Sequence, residues 1–333
     1  MKLGKKTIIV FVLFVTVTGA VYHYFVGGSF NLPEGTTKKV QLRDKTIMET
    51  ENTKHSIPIE EIRSGGPPKD GIPSIDDPKF ISTEKADNFL DGNDVGLGIK
   101  YRGEARFYPF QIMVWHEIAN DEIQGDPVLV TYCPLCFTGI VFERMVEGEV
   151  QEFGVSGKLW QSNLLMYNRA PDPSNESLWS QVLGEAVVGP HTGTKLNIIP
   201  SDIVEYGNWK DTYPDTQVLS RDTGIYSLGR YDVEPYEGYY TSDETIFTTD
   251  FNDERLHPKE IVVGIEINNQ FKAYPVDDIK EGISRDMFAG KELEITKNKT
   301  GEIRIKAEGE SLEVIWGFWF SWQAVHPDTQ LYE

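Results

Sequence analysis

Cysteine, histidine and positive charge are scarce in this chain of 333 residues, which has two Cys and six His. Two cysteines cannot build a disulfide-rich scaffold, and one Cys-x-x-Cys pair leaves a tetrahedral metal site incomplete. The chain has 32 Lys and Arg and 52 Asp and Glu, which gives a formal net charge of -20. An acidic surface repels phosphate backbones, so we expect no nucleic-acid partner. Hydrophobic residues still make up 39% of the chain, enough for a packed core.

A long apolar run is present at the N-terminus. Residues 7–26 carry no Asp, Glu, Lys or Arg, and Lys2, Lys5 and Lys6 precede them. Twenty such residues in a helix span about 30 Å, the thickness of the hydrocarbon core of a bilayer. We therefore predict a cytoplasmic basic flank over 1–6, a single-pass signal-anchor over 7–26 in the cell membrane, and an extracytoplasmic remainder. The alternative is a signal peptide cleaved near Ala20, which would leave a secreted protein.

The rest of the chain divides into a linker and two unequal repeats. Residues 27–56 are polar without sustained periodicity and predict a stalk. Two composite motifs then recur in the same order, which predicts a first repeat over 57–260, with an inserted Cys-x-x-Cys region, and a shorter second repeat over 261–333. The first motif is Gly98-Ile99 followed by Tyr108-Pro109, and it recurs as Gly264-Ile265 followed by Tyr274-Pro275. The second is Trp209 followed by Pro214-Asp215-Thr216-Gln217, and it recurs as Trp322 followed by Pro327-Asp328-Thr329-Gln330.

Short strand-like runs dominate from residue 95 onward. We predict strands over 95–100, 127–132, 139–145, 150–155, 186–188 and 261–267, and short helices over 110–118, 200–206 and 275–280. The expected class is mainly β (α+β), with antiparallel sheets and few helices.

The segment Cys133-Pro134-Leu135-Cys136 follows an apolar strand and is the main candidate site. A proline-stiffened turn points two sulfurs at one ion, and thiolates favour a soft metal such as copper or zinc. His116 is the predicted third ligand, with Glu117, Asn120 and Met166 around it, although a histidine among apolar neighbours is also an ordinary core residue. His191 is a weaker ligand candidate.

Two other interpretations of the cysteines stay open, and so does the question of whether the protein is an enzyme. Thiol–disulfide exchange requires an exposed Cys133, and the strand-like residues after Cys136 lack the helix N-terminus that lowers a thiol pKa in such sites. In the other interpretation the cysteines are structural, and Trp160, Tyr167 and Trp179 line a groove for a glycan or another ligand. The protein or small-molecule partner is unknown in each case.

Several motifs together resemble an uncharacterised family, the domain of unknown function 3179, over roughly residues 57–330. The resemblance implies a secreted or membrane-anchored protein and no established activity. Within it, Cys133, Cys136 and His116 are family positions, whereas His191 is not. The motifs are 65–73 (GGPPKDGIP), Tyr108-Pro109, Trp115-His116-Glu117, 131–136 (TYCPLC), 153–157 (FGVSG), 162–167 (SNLLMY), 177–181 (SLWSQ) and Pro214-Asp215-Thr216.

Overall fold

A computed structural model describes residues 38–42 and 45–332 of the chain. Strands account for 43% and helices for 13%, so the predicted mainly β class with antiparallel sheets is confirmed. The predicted cytoplasmic flank and signal-anchor, residues 1–26, lie outside the described residues. Within the described part, no helix is long and apolar enough to span a membrane.

The strands follow one another closely along the chain. They are β1 Lys38–Leu42, β2 Lys45–Thr50, β3 Thr53–His55, β4 Arg63–Ser64, β5 Phe80–Ile81, β6 Val95–Tyr101, β7 Glu104–Pro109, β8 Ile118–Ile123, β9 Asp126–Cys133, β10 Thr138–Glu143, β11 Met145–Val146, β12 Glu149–Val150, β13 Phe153–Trp160, β14 Asn163–Asn168, β15 Leu178–Ser180, β16 Glu185–Val188, β17 Ile198–Ile199, β18 Ser201–Glu205, β19 Gln217–Leu219, β20 Ile261–Ile267, β21 Gln270–Pro275, β22 Gly282–Phe288, β23 Lys291–Lys297, β24 Ile303–Ala307, β25 Glu310–Ser311, β26 Ile315–Phe318 and β27 Gln330–Leu331.

The helices are few and short. The α-helices are α1 Thr83–Ala86, α2 Phe110–Met113, α3 Tyr206–Thr212 and α4 Trp319–Val325, and the 3-10 turns are Ile59–Glu61, Pro173–Asn175, Leu228–Asp232 and Val276–Asp278. The helix predicted over 110–118 is shorter than expected, and the one predicted over 200–206 is wrong because 201–205 form β18. Both seven-residue helices, α3 and α4, went unpredicted; each carries a buried tryptophan, Trp209 or Trp322.

The internal repeat is visible in the strand order. The sheet β18-β6-β7-β19-β5 and the sheet β26-β20-β21-β27 share an order in which an antiparallel hairpin forms the centre. In both sheets the last shared strand runs parallel to its neighbour, β19 to β7 and β27 to β21. The sheets together form a propeller-like arrangement.

Equivalent side chains explain why the sequence motifs recur. A Cβ on Gly98 would lie 2.6 Å from the ring of Trp209, and one on Gly264 would lie 2.3 Å from the ring of Trp322. Glycine is therefore required where each tryptophan crosses the sheet. Each indole N–H donates to a threonine hydroxyl of the Pro-Asp-Thr motif, at 2.9 Å in the first repeat and 2.8 Å in the second.

The Cys-containing hairpin also has a counterpart in the second repeat. The order β8-β9-β10 corresponds to β22-β23-β24, and equivalent tyrosines bond to Asp121 on β8 and Asp286 on β22. The main addition to the first repeat is therefore β11–β16, most of which joins an eight-stranded sheet. This finding refines the predicted insertion, because the hairpin that carries the cysteines belongs to the repeated unit.

Part of the predicted stalk is instead folded. Strands β1, β2 and β3 form a meander, and β3 joins the eight-stranded sheet through the pairing of His55 with Val188. Ile47 is buried, and the His55 ring contacts the Ile57 carbonyl oxygen at 2.7 Å and the Thr50 hydroxyl at 3.0 Å. The stalk prediction is wrong for these strands. Their side chains are mostly polar and give no strand pattern, because the strands are stabilised by pairing with distant strands.

Candidate functional site: a buried pair of cysteines

The Cys133-Pro134-Leu135-Cys136 turn closes the hairpin between β9 and β10. Cys133 pairs with Thr138 across the hairpin, and the Cys136 N–H donates to the Cys133 carbonyl at 3.2 Å. Phe137 completes the loop with a φ of 52°, the left-handed conformation that ends many hairpin loops of this length. The strand expected after the pair is confirmed. Because the turn brings the two Cα atoms within about 7 Å, a disulfide is within geometric reach.

The two thiols are free, buried and electrostatically unlike each other. Burial, together with the hydrogen bond to Cys136, raises the pKa of Cys133 well above its usual range. Burial also acts to raise the pKa of Cys136, but the neighbouring polar groups of Cys133, Ser321 and Asn163 outweigh it, so that the pKa of Cys136 is lowered. The opposite directions favour ionisation of Cys136 over that of Cys133, and as a thiol Cys136 donates to the Ser162 carbonyl at 3.2 Å.

A buried lysine places a positive charge near Cys136. Lys259 is 5% exposed, and its ammonium donates to the backbone carbonyls of Ser242 and Glu244 at 3.2 and 2.7 Å. No carboxylate of the described residues lies within ion-pair distance of it. Burial lowers the pKa of Lys259, while the charges of Cys136 and Asp243 act in the opposite direction. The ammonium also lies 4.0 Å from the centre of the Tyr239 ring, and its positive charge acts to lower the pKa of Cys136.

Glu117 places a buried carboxyl group beside Cys133. It follows α2 with a φ of 58°, and its carbonyl accepts the Tyr132 N–H at 2.7 Å, one residue before Cys133. Burial raises the pKa of Glu117 well above its usual range, and the charge of Cys133 contributes in the same direction. Both effects favour the protonated form of the Glu117 carboxyl group.

His116 is engaged elsewhere through both ring nitrogens. Nδ1 donates to the Pro73 carbonyl at 2.7 Å, and Nε2, which is then the acceptor, receives the Tyr231 hydroxyl proton at 2.8 Å. Burial lowers the pKa of His116 to about 4, against a smaller opposing effect of the bond to Pro73. The neutral ring therefore fastens the 65–73 motif and the 3-10 turn Leu228–Asp232 to the end of α2.

Of the other predicted ligands and neighbours, Met166 packs near the cysteines, whereas Asn120 and His191 bond elsewhere. The Asn120 amide bonds to the Phe153 backbone at 2.8 and 2.9 Å and to Asp76, while Met166 shares the buried apolar cluster of the cysteines. His191 lies 3.6 Å from Glu147. Within the ranges that the structure describes, no three His, Cys, Asp or Glu side chains come together as metal ligands. The cysteine pair and His116 therefore do not form a three-ligand group.

A tyrosine-rich segment covers the cysteine turn, and we call residues 233–257 the cover segment. The Tyr239 hydroxyl donates to the Leu135 carbonyl at 2.9 Å, inside the turn itself. The Tyr240 ring centroid lies 5.9 Å from that of Phe137 and 6.1 Å from that of Phe318. Because of this cover, Cys133 is only 1% exposed. The exposed Cys133 required for exchange with a protein disulfide is absent from this conformation.

The aromatic residues of the predicted ligand groove do not line an open cleft. Trp179 is completely buried and donates to Asn168 at 3.0 Å, and the Tyr167 hydroxyl donates to Asp70 at 2.5 Å. Trp160, which is half-buried, donates to Glu61 at 2.8 Å. These side chains stabilise the eight-stranded sheet and its neighbouring loops.

Lys259, Asn163 and Ser321 are the site residues that sequence reasoning missed. Asn163 stands within a quoted family motif, 162–167, which was the available signal. Lys259 and Ser321 carry no such signal, because they reach Cys136 only through tertiary packing, in which the Phe318 N–H donates to the Cys136 carbonyl at 2.8 Å. The chain is therefore a mainly β protein that encloses two thiols and a buried lysine ammonium.

Comparison with known proteins agrees with the resemblance seen in the sequence. Residues 69–316 match the family described as protein of unknown function (DUF3179), and the chain belongs to this family. No curated protein and no solved structure matches the chain.

Proposed function

We propose that Cys133 and Cys136 form a reversible two-electron redox centre that reacts with a small oxidant of the peroxide class. The observation that carries this proposal is a pair of free, buried thiols held in one turn at a separation that allows a disulfide. The opposite directions of their pKa shifts assign the role of each sulfur. A thiolate that reacts first and a thiol that resolves the product are the two parts such a centre needs.

The chemistry balances with these two residues. The Cys136 thiolate attacks one peroxide oxygen, the O–O bond breaks, and Cys136 becomes a sulfenic acid while hydroxide leaves and takes a proton from solvent. The Cys133 sulfur then attacks Cys136, the S–O bond breaks, and the released hydroxide takes the Cys133 proton to form water. The peroxide gains two electrons and the dithiol becomes a disulfide, which a low-molecular-weight thiol returns to the reduced form by exchange.

Burial supports a small oxidant. With Cys136 fully buried and the Tyr239 hydroxyl bonded inside the turn, no protein disulfide has a path to sulfur in this conformation. A peroxide of a few atoms requires far less movement of the cover segment. Lys259 offsets the charge of the reacting thiolate, which would otherwise be costly in an apolar setting.

Copper(I) bound by the same two thiolates is a second candidate. Two thiolates and one Cu(I) carry a single negative charge, which the Lys259 ammonium offsets. Zinc needs four ligands, and the described residues offer no group of even three His, Cys, Asp or Glu side chains. This candidate keeps the predicted soft-metal site without His116.

One experiment separates the two candidates. The full-length chain, purified in detergent under anaerobic conditions, is treated with hydrogen peroxide or with Cu(I), and intact masses are recorded after alkylation of remaining thiols. Redox function predicts a species lighter by two hydrogen atoms and unalkylated, a dimedone-trapped sulfenic acid in Cys133→Ser, and no reaction in Cys136→Ser. Retention of one Cu(I), lost in both variants, with no reaction toward peroxide would support copper binding instead and overturn the redox proposal.

We further infer that residues 7–26 anchor the chain in the membrane and that the rest is extracytoplasmic, where peroxide and oxidised thiols are met more often than in the cytosol. Carbonate extraction of membranes followed by protease treatment of intact cells tests this topology. A protein that stays in the membrane and is digested from outside agrees with the anchor. Release into the soluble fraction after loss of the first residues would indicate a cleaved signal peptide.

A further inference from the structure

One edge of β22, in the second repeat, is open. Strand β22 pairs with β23 on one side, and no other strand of the described residues pairs with it on the other side. The side chains of Ile283 and Met287 are 67% and 62% exposed, and the alternation of the strand places them on one face with Arg285. An open edge that carries exposed apolar side chains is a surface suited to pairing with another polypeptide.

The first repeat shows what covers the equivalent edge there. Its strand β8 pairs with Ile75 in parallel orientation. The Ile75 N–H donates to the Ile118 carbonyl at 2.9 Å, and the Asn120 N–H donates to the Ile75 carbonyl at 2.8 Å. Both isoleucines are buried. A short extended segment of the chain thus closes this edge in the first repeat.

An aspartate on each strand fixes the alignment of β8 with β22. Asp121 and Asp286 accept the hydroxyl proton of the equivalent tyrosines, Tyr108 and Tyr274. Each aspartate also accepts the N–H of the residue that follows it, at 2.7 Å on β8 and 2.8 Å on β22. The two strands therefore correspond residue by residue on either side of the aspartate.

The groups that hold Ile75 have open counterparts on β22. Counted from the aspartates, Ile118 corresponds to Ile283, and Asn120 corresponds to Arg285. The alternation of an antiparallel ladder directs the Ile283 carbonyl and the Arg285 N–H away from β23, as in the first repeat. On that open side, no backbone group within the described ranges bonds to either of them. Two backbone groups are thus placed to hold an added segment.

The side chain at the second of these positions selects an acidic segment. In the first repeat the Asn120 amide donates to the Asp76 carboxylate at 2.7 Å, one residue after Ile75. Arg285 takes the place of Asn120, and a guanidinium binds a carboxylate more strongly than an amide does. Arg285 also pairs with Glu292 at 3.1 Å, but both side chains are exposed, so this pair contributes little and leaves the guanidinium accessible.

We propose that the open edge of β22 binds an extended segment of a partner protein in which isoleucine or valine is followed by aspartate or glutamate. The segment runs parallel to β22, its apolar residue bonds to the backbone of Ile283 and Arg285, and its carboxylate meets the Arg285 guanidinium. A second copy of the chain fits less well, because full pairing of two β22 strands places Arg285 opposite Arg285. This inference goes beyond the proposed redox function and does not depend on it.

The test measures the fluorescence anisotropy of a labelled peptide with the sequence of residues 70–79 (DGIPSIDDPK), which contains the segment that covers β8. The full-length chain in lipid nanodiscs is titrated into the peptide, and empty nanodiscs provide the blank. We expect saturable binding of one peptide per chain, and roughly fivefold weaker binding of a peptide with Asp76→Asn. Equal affinity for the two peptides would overturn the charge assignment, and the absence of saturable binding would overturn the proposal.

Variants of β22 locate the binding. Arg285→Gln should weaken binding of the acidic peptide by roughly fivefold and leave that of the Asp76→Asn peptide unchanged. Arg285→Pro, which removes the outward N–H at a position where an edge strand tolerates proline, should abolish saturable binding. The matched control is Lys306→Gln, an exposed lysine on β24, which should bind like the wild type. Unchanged affinity in both Arg285 variants would refute the proposal, and circular dichroism checks that each variant folds.

Two further measurements separate the other occupants of this edge. Sedimentation in detergent detects self-association, and a dimer that Arg285→Pro abolishes would assign the edge to a second copy of the chain. Deletion of residues 27–37 tests the chain's own N-terminal segment, and tighter peptide binding after the deletion would assign the edge to that segment. Either result would overturn the proposed partner. A wild-type monomer whose peptide affinity the deletion leaves unchanged agrees with it.

Discussion

His116 makes the stability of the fold depend on pH in a definite direction. Its pKa falls from 6.5 to about 4 on folding, mainly through burial. Between these values the unfolded chain binds a proton that the folded chain does not, so acidification favours unfolding. The stabilisation is fully present above pH 6.5, declines as the pH falls toward 4, and changes no further below 4. Each pKa unit corresponds to about 1.4 kcal/mol, so the loss amounts to about 3 kcal/mol.

The assay is urea unfolding of residues 38–333 at pH 7 and pH 4, for the wild type and for His116→Gln. The variant is less stable at pH 7, since it loses the bonds to Pro73 and Tyr231. Its free energy of unfolding should nevertheless fall by about 3 kcal/mol less than that of the wild type. Taking the difference removes other titrations, such as that of Asp202, whose pKa burial raises to about 6 and whose effect has the opposite sign. Parallel pH profiles would refute a neutral, buried His116.

Two further predictions concern the buried ammonium and the repeat. Lys259→Met should raise the pKa of Cys136 and slow its oxidation by peroxide at pH 7 by about tenfold. The surface variant Lys291→Met should change neither the pKa nor the rate. Equal oxidation rates in the two variants would show that the charge of Lys259 does not act on Cys136. Gly264→Ala should cost about 1–3 kcal/mol in urea unfolding, because its Cβ would lie 2.3 Å from a buried tryptophan ring, and Gly229→Ala, with open space around it, should be neutral. Similar costs for the two alanine variants would contradict the close contact.

The β-rich class and the internal repeat could be predicted because their signals are local. A glycine under a tryptophan and a threonine that accepts from its indole must recur at fixed spacings wherever this unit is built, so Gly98 with Trp209 and Gly264 with Trp322 mark both copies. Alternating or continuous apolar runs such as 261–267 also fix their strands directly.

The chemistry of the site depended on contacts that no local pattern encodes. Lys259 follows Cys136 by 123 residues, and the turn meets β26 of the second repeat through a backbone hydrogen bond. His116 was predicted as a ligand from its residue type and its position before the cysteines. In the structure both of its ring nitrogens form hydrogen bonds that hold loops together. Residue type and spacing were enough to predict a site at the two thiols, but the charged group near them, Lys259, could be identified only from the fold.

The cysteine turn of the first repeat packs against the second repeat. In the second repeat the equivalent hairpin, β23–β24, carries Asn298 and Glu302 in its turn and no thiol. The second repeat instead provides a surface for the first: a Cβ on Gly317 would lie 2.6 Å from Thr138, and the Phe318 N–H donates to the Cys136 carbonyl at 2.8 Å. Duplication therefore produced two similar units of which one carries the thiols and the other completes their environment. An isolated first repeat would leave the Cys136 carbonyl without the Phe318 N–H, and the two cysteines without the packing of Phe318 and Phe320.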